Sequence, residues 1–373
     1  MRIAVNTRLL LKGKLDGIGW FTYEAFKRIC IQHPEHQFIF LFDRPYNEDF
    51  IFAENITAVT LYPQSRHPIL WYLFFEWSVP LALKKYKADV FITPDGWLSL
   101  RTKVKTLAVI HDLNFEHFPR FLKFSHRIYL NYFFHRFAQK ADRIVTVSEY
   151  SKNDIAELYG ISKDKIDVVY NGSHDLYKPV NESIKIKIKK EFTKGKPYFI
   201  FIGSLHPRKN LSNLFRAFDE FRKLNQTETK LVIVGQKQWW NGEIEDAYNA
   251  MEFKKEVIFT GRMAPEVLNE LLASSLALTY VSLFEGFGIP IVEAFYAETA
   301  VITSANTSMP EVAGEAALLV DPYSVTAIAD AMQLIDSNPE LRSSLIEKGK
   351  SRRLLFSWDQ TAEKLWTSIE KIF

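Results

Sequence analysis

The chain has 373 residues, 47% hydrophobic and 24% charged, a balance typical of soluble globular proteins on a length too great for one ordinary core. Two domains of about 150–200 residues each suit it. A formal net charge of +3 is nearly neutral at this length and carries no nucleic-acid signature, so no nucleic-acid partner is expected.

The opening residues, MRIAVNTRLLLKGK, scatter charges through a short apolar run and read as a first strand rather than a secretory signal. Strand candidates in the first half are 2–10, 37–43, 57–62, 89–93, 106–111, 143–147 and 167–170, with helical patterns at 18–31, 124–140 and 150–159. Cys30, the single cysteine, lies in the first of these helical patterns. It reads as a small core residue, and a reducing, cytoplasmic setting is expected. The longest apolar stretch, 69–83, is interrupted by Glu76 and Pro80 and falls short of the roughly 20 residues that a bilayer span needs. A buried helix is expected there, with Lys84, Lys85 and Lys87 keeping a peripheral, membrane-surface helix as the alternative. Asn171-Gly172, followed by a lysine-rich stretch over 178–196, reads as a domain boundary whose lysines form a solvated helix face.

In the second half, apolar runs end at Gly203, Gly235 and Gly261, and further runs cover 276–281, 300–304 and 316–320. Strands alternating with helical segments in both halves imply parallel sheets covered on both faces, an α/β chain of two Rossmann-like units. The last segment is an amphipathic helix with Ser357 as a candidate N-cap and Trp358 as its apolar anchor.

Three strand-to-helix loops carry candidate chemistry. EGFGIPIVE, residues 285–293, places Gly286 and Gly288 where the backbone must turn sharply and Pro290 in the first turn of a helix. Loop amides and the positive end of the helix dipole would then suit a phosphate or sugar hydroxyls, although the glycines serve a tight turn equally well. GSLHPRKN, residues 203–210, puts Arg208 and Lys209 at a similar turn, a fork and a point charge suited to a diphosphate or simply a solvated pair. His111 and Asp112 close a strand in the first half, at the sheet edge where ligands bind. Ser148 and Ser151 read as caps.

The stretch 285–293, with two glutamates flanking seven residues, resembles the E-x7-E signature of retaining glycosyltransferases of family 4. That resemblance implies the GT-B fold: two facing Rossmann-like domains with an interdomain cleft, residues 1–177 and 178–355, and a C-terminal helix, 356–373, crossing back to the first. It implies that Glu285 contacts the donor sugar, that Gly286, Phe287 and Gly288 contact sugar and phosphate, and that Glu293 binds the ribose. GSLHPRKN resembles the family's diphosphate loop, with Ser204 standing where many members have an arginine, so Arg208 and Lys209 share the charge. Arg262 and Met263 correspond to residues flanking the base. His111 is similar to the family's catalytic histidine, and Asp112 and Ser148 fall on the acceptor side. Gly17 and Gly19 match a glycine-rich loop, with Asp16 replacing a usual glycine and favouring an acceptor hydroxyl over a phosphate.

The implied activity is retaining transfer of a sugar from a nucleotide diphosphate sugar, GDP-mannose or otherwise a UDP-sugar, to a glycan or glycolipid acceptor. The nucleotide sugar is a co-substrate and no cofactor is implied. No Asp-x-Asp occurs, so no metal is expected and cations with a helix N-terminus would neutralise the leaving diphosphate. The resemblance leaves oligomeric state open. An epimerase or phosphorylase on the same architecture and a non-catalytic two-lobed sugar-binding protein stand as alternatives. A nicotinamide dehydrogenase is weaker, because no G-x-G-x-x-G follows the first strand.

Overall fold

The computed structural model describes residues 1–225, 227–236, 240 and 242–373. Two compact units divide it, residues 1–172 with 358–373 and residues 173–357. The boundary thus falls at Asn171-Gly172 itself, ahead of the 177/178 division drawn from sequence. The lysine-rich stretch belongs to the second unit as helix Glu182–Thr193, which buries Ile188 and leaves Lys187 and Lys190 in water.

The first unit carries seven parallel strands: β1 Arg2–Asn6, β2 Gln37–Phe42, β3 Ile56–Thr60, β4 Val90–Thr93, β5 Lys105–Val109, β6 Arg143–Thr146 and β7 Ile166–Val168, in the order β3-β2-β1-β4-β5-β6-β7. Their side chains feed two cores in alternation. Ile3 and Val5 join one hydrophobic cluster while Ala4 joins the other, and Phe38 and Phe40 face away from Ile39 and Leu41. This period of two, with both faces apolar, makes these strands continuous hydrophobic runs. Helix Trp358–Glu370 returns to the first unit and buries Trp358, Leu365, Trp366 and Ile369 on the Ile3 side of the sheet, beside helix Gly17–Gln32. The first strand ends at Asn6 rather than at residue 10, because the Leu10 amide donates to the Thr7 carbonyl and turns the chain out of the sheet.

The 69–83 stretch is a helix from Pro68 to Lys85 with one π-helical turn over Phe74–Ser78. It is buried on one face only. Trp71, Phe74, Phe75, Val79 and Leu83 enter the core, whereas Ile69, Trp77 and Leu81 stand in solvent. Among the described residues, no helix is long and apolar enough to cross a membrane.

The second unit has six parallel strands: β8 Tyr198–Ile202, β9 Lys230–Val234, β10 Val257–Gly261, β11 Ala277–Tyr280, β12 Ala300–Ser304 and β13 Leu318–Val320, ordered β10-β9-β8-β11-β12-β13. Its core packs helix Leu211–Leu224 and helix Val325–Ser337 against the sheet through Phe215, Phe218, Phe221, Ile328 and Met332.

Candidate active site

In the second sheet the strand order reverses between β8 and β11, which pair directly. Loops leaving neighbouring strands at such a reversal diverge and leave a crevice, where ligands bind in open parallel sheets. The loop after β8 carries Arg208 and Lys209, and the loop after β11 carries Glu285. Both motifs found in the sequence therefore meet at one edge of one sheet.

Glycine permits the close approaches. A Cβ on Gly235 would stand 1.9 Å from the Gly203 carbonyl oxygen, so the ends of β9 and β8 meet as no other residue allows. Gly288 caps helix Ile289–Tyr296 at φ +103°, a left-handed conformation that side chains resist, and Pro290 occupies the first turn.

Hydrogen bonds then lock the loops to one another. The Leu283 amide donates to the Arg208 carbonyl at 2.8 Å. Asn210, itself left-handed at φ +62°, donates through Nδ2 to the carbonyls of Val281 (2.9 Å) and Pro322 (2.7 Å). A third loop, 305–308, braces the glycine loop from behind. Ser308 Oγ donates to the carbonyls of Glu285 (2.9 Å) and Phe287 (3.0 Å), and Asn306 Nδ2 donates to that of Leu283 (2.9 Å). Thr307 holds φ +54°, unusual for a β-branched residue, and its Oγ1 accepts from the Glu285 amide at 3.4 Å.

The charged centre is a triad. Glu285 is 7% exposed, with one oxygen 2.9 Å from Arg208 Nη1 and the other 2.6 Å from Lys209 Nζ. Burial alone would raise its carboxyl, but Arg208 and then Lys209 overcome this and bring it down to about 2. Lys209 Nζ also donates to Tyr280 Oη at 2.7 Å, and Arg208 reaches the Phe284 carbonyl. His206 accepts from the Arg208 amide at Nδ1 (3.1 Å), and burial together with the two cations lowers it to about 4, leaving it neutral at pH 7. Glu293 lies one turn into the helix that follows. Burial pushes its carboxyl up to about 7, against a smaller downward pull from the Tyr177 hydroxyl.

Other expected donor residues divide. Ser204 is exposed at the start of the loop after β8. The Phe287 ring is 4% exposed and packs edge-on against Phe356 at 5.7 Å, so what this residue offers the loop is its backbone, while its ring belongs to the core. Arg262 and Met263 follow β10, which β9 separates from β8; Arg262 is exposed and Met263 half-buried.

In the first unit the sheet order reverses between β1 and β4; of the expected acceptor-side residues Asp112 lies on a loop, Ser148 at a helix cap, and Gly17 and Gly19 in the first turn of a helix rather than on a glycine-rich loop. Asp16 caps helix Gly17–Gln32 by accepting from the Gly19 amide at 2.9 Å. Gly19 is tight because a Cβ there would lie 3.1 Å from the Leu9 carbonyl oxygen. His111 Nε2 lies 2.8 Å from the Pro94 carbonyl, which fixes the proton on that nitrogen and leaves Nδ1 as an acceptor. Burial lowers its pKa, and its ring meets Phe21 edge-on at 5.0 Å. Asp112 accepts from the Asn114 amide at 3.0 Å. Ser148 is fully buried and caps helix Glu149–Tyr159 by accepting from the Ser151 amide at 3.0 Å, so its hydroxyl faces no solvent in which an acceptor could meet it.

Several residues at these edges escape sequence reasoning. Tyr280 reads as one more apolar residue of a core strand, Tyr177 lies in an irregular stretch, and nothing in the local pattern joins loop 305–308 to residues twenty positions earlier. At the first unit's edge, Arg8 and Asp95 form a buried pair at 2.6 Å, with Asn6 Nδ2 donating to Asp95 at 2.9 Å. An arginine just past the first strand carries no signal of that burial.

Among the described residues, no group of three or more His, Cys, Asp or Glu side chains is arranged to hold a metal ion. The arrangement in the second unit is suited to an anion: two cations converge beside the N-terminus of an eight-residue helix, with a carboxylate between them.

Residues 32–174 match the family model described as Glycosyltransferase Family 4, and residues 182–352 match that described as Glycosyl transferases group 1. The chain is 24% identical over 361 residues to the O-antigen chain mannosyltransferase B of Escherichia coli, covering 94% of each. It is 27% identical over 288 residues to the O-antigen chain mannosyltransferase RfbU of Salmonella typhimurium, covering 77% of this chain and 76% of that one. Among solved structures, Anabaena HepE in complex with UDP-glucose matches with a TM-score of 0.77 at 15% identity over 100% of both chains, a likeness of fold. With its two units matched in turn by the two models, and with relatives aligned along most of their length, this chain belongs to glycosyltransferase family 4 and is a glycosyltransferase of the GT-B fold.

Proposed function

We propose that the enzyme moves mannose from GDP-mannose to a glycan or glycolipid acceptor of polysaccharide assembly, with retention at the anomeric carbon and without a metal. The observation that carries this reading is the Arg208–Glu285–Lys209 triad beside the helix that begins at Ile289. Arg208 and Lys209 would take the donor diphosphate, with the helix N-terminus adding its partial positive charge. Glu285 would turn to the sugar, and Glu293 would accept from the ribose hydroxyls. The first unit would hold the acceptor near Gly17, Gly19, His111 and Asp112. Support for mannose comes from the two O-antigen mannosyltransferase relatives.

In the reaction, the bond from the anomeric carbon to the β-phosphate oxygen breaks and an acceptor hydroxyl oxygen bonds to the same face of that carbon. The proton of that hydroxyl passes to the departing phosphate oxygen, so no protein base is needed. Positive charge developing on the sugar in between is what a carboxylate at Glu285 would stabilise.

The test is a panel of nucleotide sugars, each assayed for binding and for slow hydrolysis, with the anomer released identified by NMR. Stabilisation and turnover with GDP-mannose giving the α anomer support the reading. Turnover confined to a UDP-sugar would remove the mannose assignment, and an inverted product would remove retention.

A further inference from the structure

Two helices of the first unit lie side by side and turn apolar rows outward. Residues 68–85 expose Ile69 (68%), Trp77 (50%) and Leu81 (66%), and helix Phe124–Lys140 exposes Phe124 (68%), Ile128 (54%) and Tyr132 (55%). Within each helix these positions are spaced by four or eight, the spacing that lines residues along one face. The π turn at Phe74–Ser78 takes more residues per turn than an α-helix and so slows the drift of the first row around its axis. The seam between the helices is packed: the Trp71 ring lies 4.8 Å from His126 and 5.3 Å from Tyr129, and Tyr72 lies 6.0 Å from Phe133.

Charge on this face has one sign. Between residues 66 and 88 the sole acid is Glu76, and between 118 and 141 there is none. Glu76 is buried and spent on the backbone, accepting from the amides of Leu100 (2.9 Å) and Arg101 (3.1 Å). Those bonds bring the Arg101 guanidinium over the exposed Trp77 ring at 4.0 Å. Lys84, Lys85 and Lys123 are exposed on the same two segments.

Exposed aromatic and aliphatic residues bordered by cations, with the one carboxylate of the two segments withdrawn, suit a surface that is apolar below and anionic above. A second copy of the chain fits poorly, because a two-fold contact would set these cations against themselves. We propose that this face of the first unit docks on an anionic lipid bilayer, with Ile69, Trp77, Leu81, Phe124 and Ile128 entering the headgroup boundary and the lysines and Arg101 pairing with lipid phosphates. The helices lie on the membrane and do not cross it. The proposal stands apart from the donor assignment, since none of these residues belongs to the loops described above.

The full chain should sediment with vesicles of phosphatidylethanolamine and phosphatidylglycerol, weakly or not at all with phosphatidylcholine alone, and less as salt is raised. Lys84→Gln and Lys85→Gln should each weaken binding about fivefold, the change that one cation near an anionic surface brings. Ile69→Glu with Leu81→Glu should abolish it, while thermal unfolding and nucleotide binding stay as in the parent. If the double glutamate variant fails to fold, the two lysine variants decide the matter alone. No sedimentation with anionic vesicles, or binding indifferent to the lysine variants, overturns the proposal. So does a dimer that Leu81→Glu breaks in a protein that never binds vesicles, which would assign the face to a second copy.

Discussion

Replacing Glu285 by Gln removes one negative charge from between two cations while keeping the side chain's shape. In the free enzyme that charge is stabilising. The carboxyl lies at about 2 against an ordinary 4.5, and this gap corresponds to about 3 kcal/mol at ~1.36 kcal/mol per pKa unit. Because the folded pKa is depressed, this contribution is present above pH 4.5 and is lost as pH falls toward 2. Glu285→Gln should therefore destabilise the second unit at pH 7 and hardly at all near pH 2. A nucleotide diphosphate would supply Arg208 and Lys209 with replacement negative charge, so its affinity should hold or rise, and the ligand should restore much of the lost stability. Turnover behaves oppositely. A carboxylate aimed at developing positive charge acts on the transition state, and losing one such group costs about 10²–10³-fold in rate. The assay pairs calorimetric titration of the bare nucleotide diphosphate with initial rates and thermal melts, with and without nucleotide. Wild-type turnover in a variant that binds nucleotide normally would refute the reasoning and make Glu285 a structural counter-ion to its two cations.

Lys209→Ala removes a charge-assisted contact of about 1.5–3 kcal/mol, so nucleotide diphosphate affinity should fall by about 10- to 150-fold in the same titration, and unchanged affinity would leave Lys209 bound to Glu285 and Tyr280 alone. Turnover should survive EDTA; loss of activity that magnesium restores would show that Arg208, Lys209 and the helix N-terminus do not suffice. Glu293 is raised to about 7, so its proton stabilises the fold at low pH and that stabilisation is lost as pH rises through 7. Glu293→Gln should accordingly be relatively more stable than the parent at pH 8 and bind nucleotide more weakly, and the parent's affinity should rise between pH 6 and pH 8 as the carboxylate forms. Trp358→Ala opens the core where that ring meets Phe21 at 6.4 Å and should cost about 3–5 kcal/mol in denaturant unfolding of the first unit, with turnover reduced through loss of folded enzyme.

Both sheets were legible because parallel strands buried on two faces are apolar along nearly their whole length, as β8 is throughout and β9 is after Lys230. The strand limits were not. Leu9 and Leu10 extend the apolar pattern of β1 although a turn ends the strand at Asn6, since a local hydrogen bond leaves no trace in hydropathy. The 69–83 stretch shows the opposite failure. Its composition suggested burial throughout, whereas a helix packed against a core through one face buries only that face, and nothing in the sequence says which neighbours cover the rest.

At the candidate site, local chemistry sufficed for Gly288 and Pro290, because a sharp turn and a helix start demand particular residue types within a few positions, whereas Arg208, Lys209 and the two glutamates stood out through their resemblance to the family's motifs. Residue type and position also named His111 and the cap at Ser148, whereas the cap at Asp16 shows only in the fold. Pairing across the sheet decided everything else. That Glu285 sits between Arg208 and Lys209, that Tyr280 receives the lysine, and that Ser308 and Thr307 brace the glycine loop depend on β8 lying next to β11 and β11 next to β12. Strand order is a property of the folded sheet. It turns a carboxyl that burial would raise toward neutrality into one held at about 2, because the cations that reverse its pKa come from a loop more than seventy residues away in the chain.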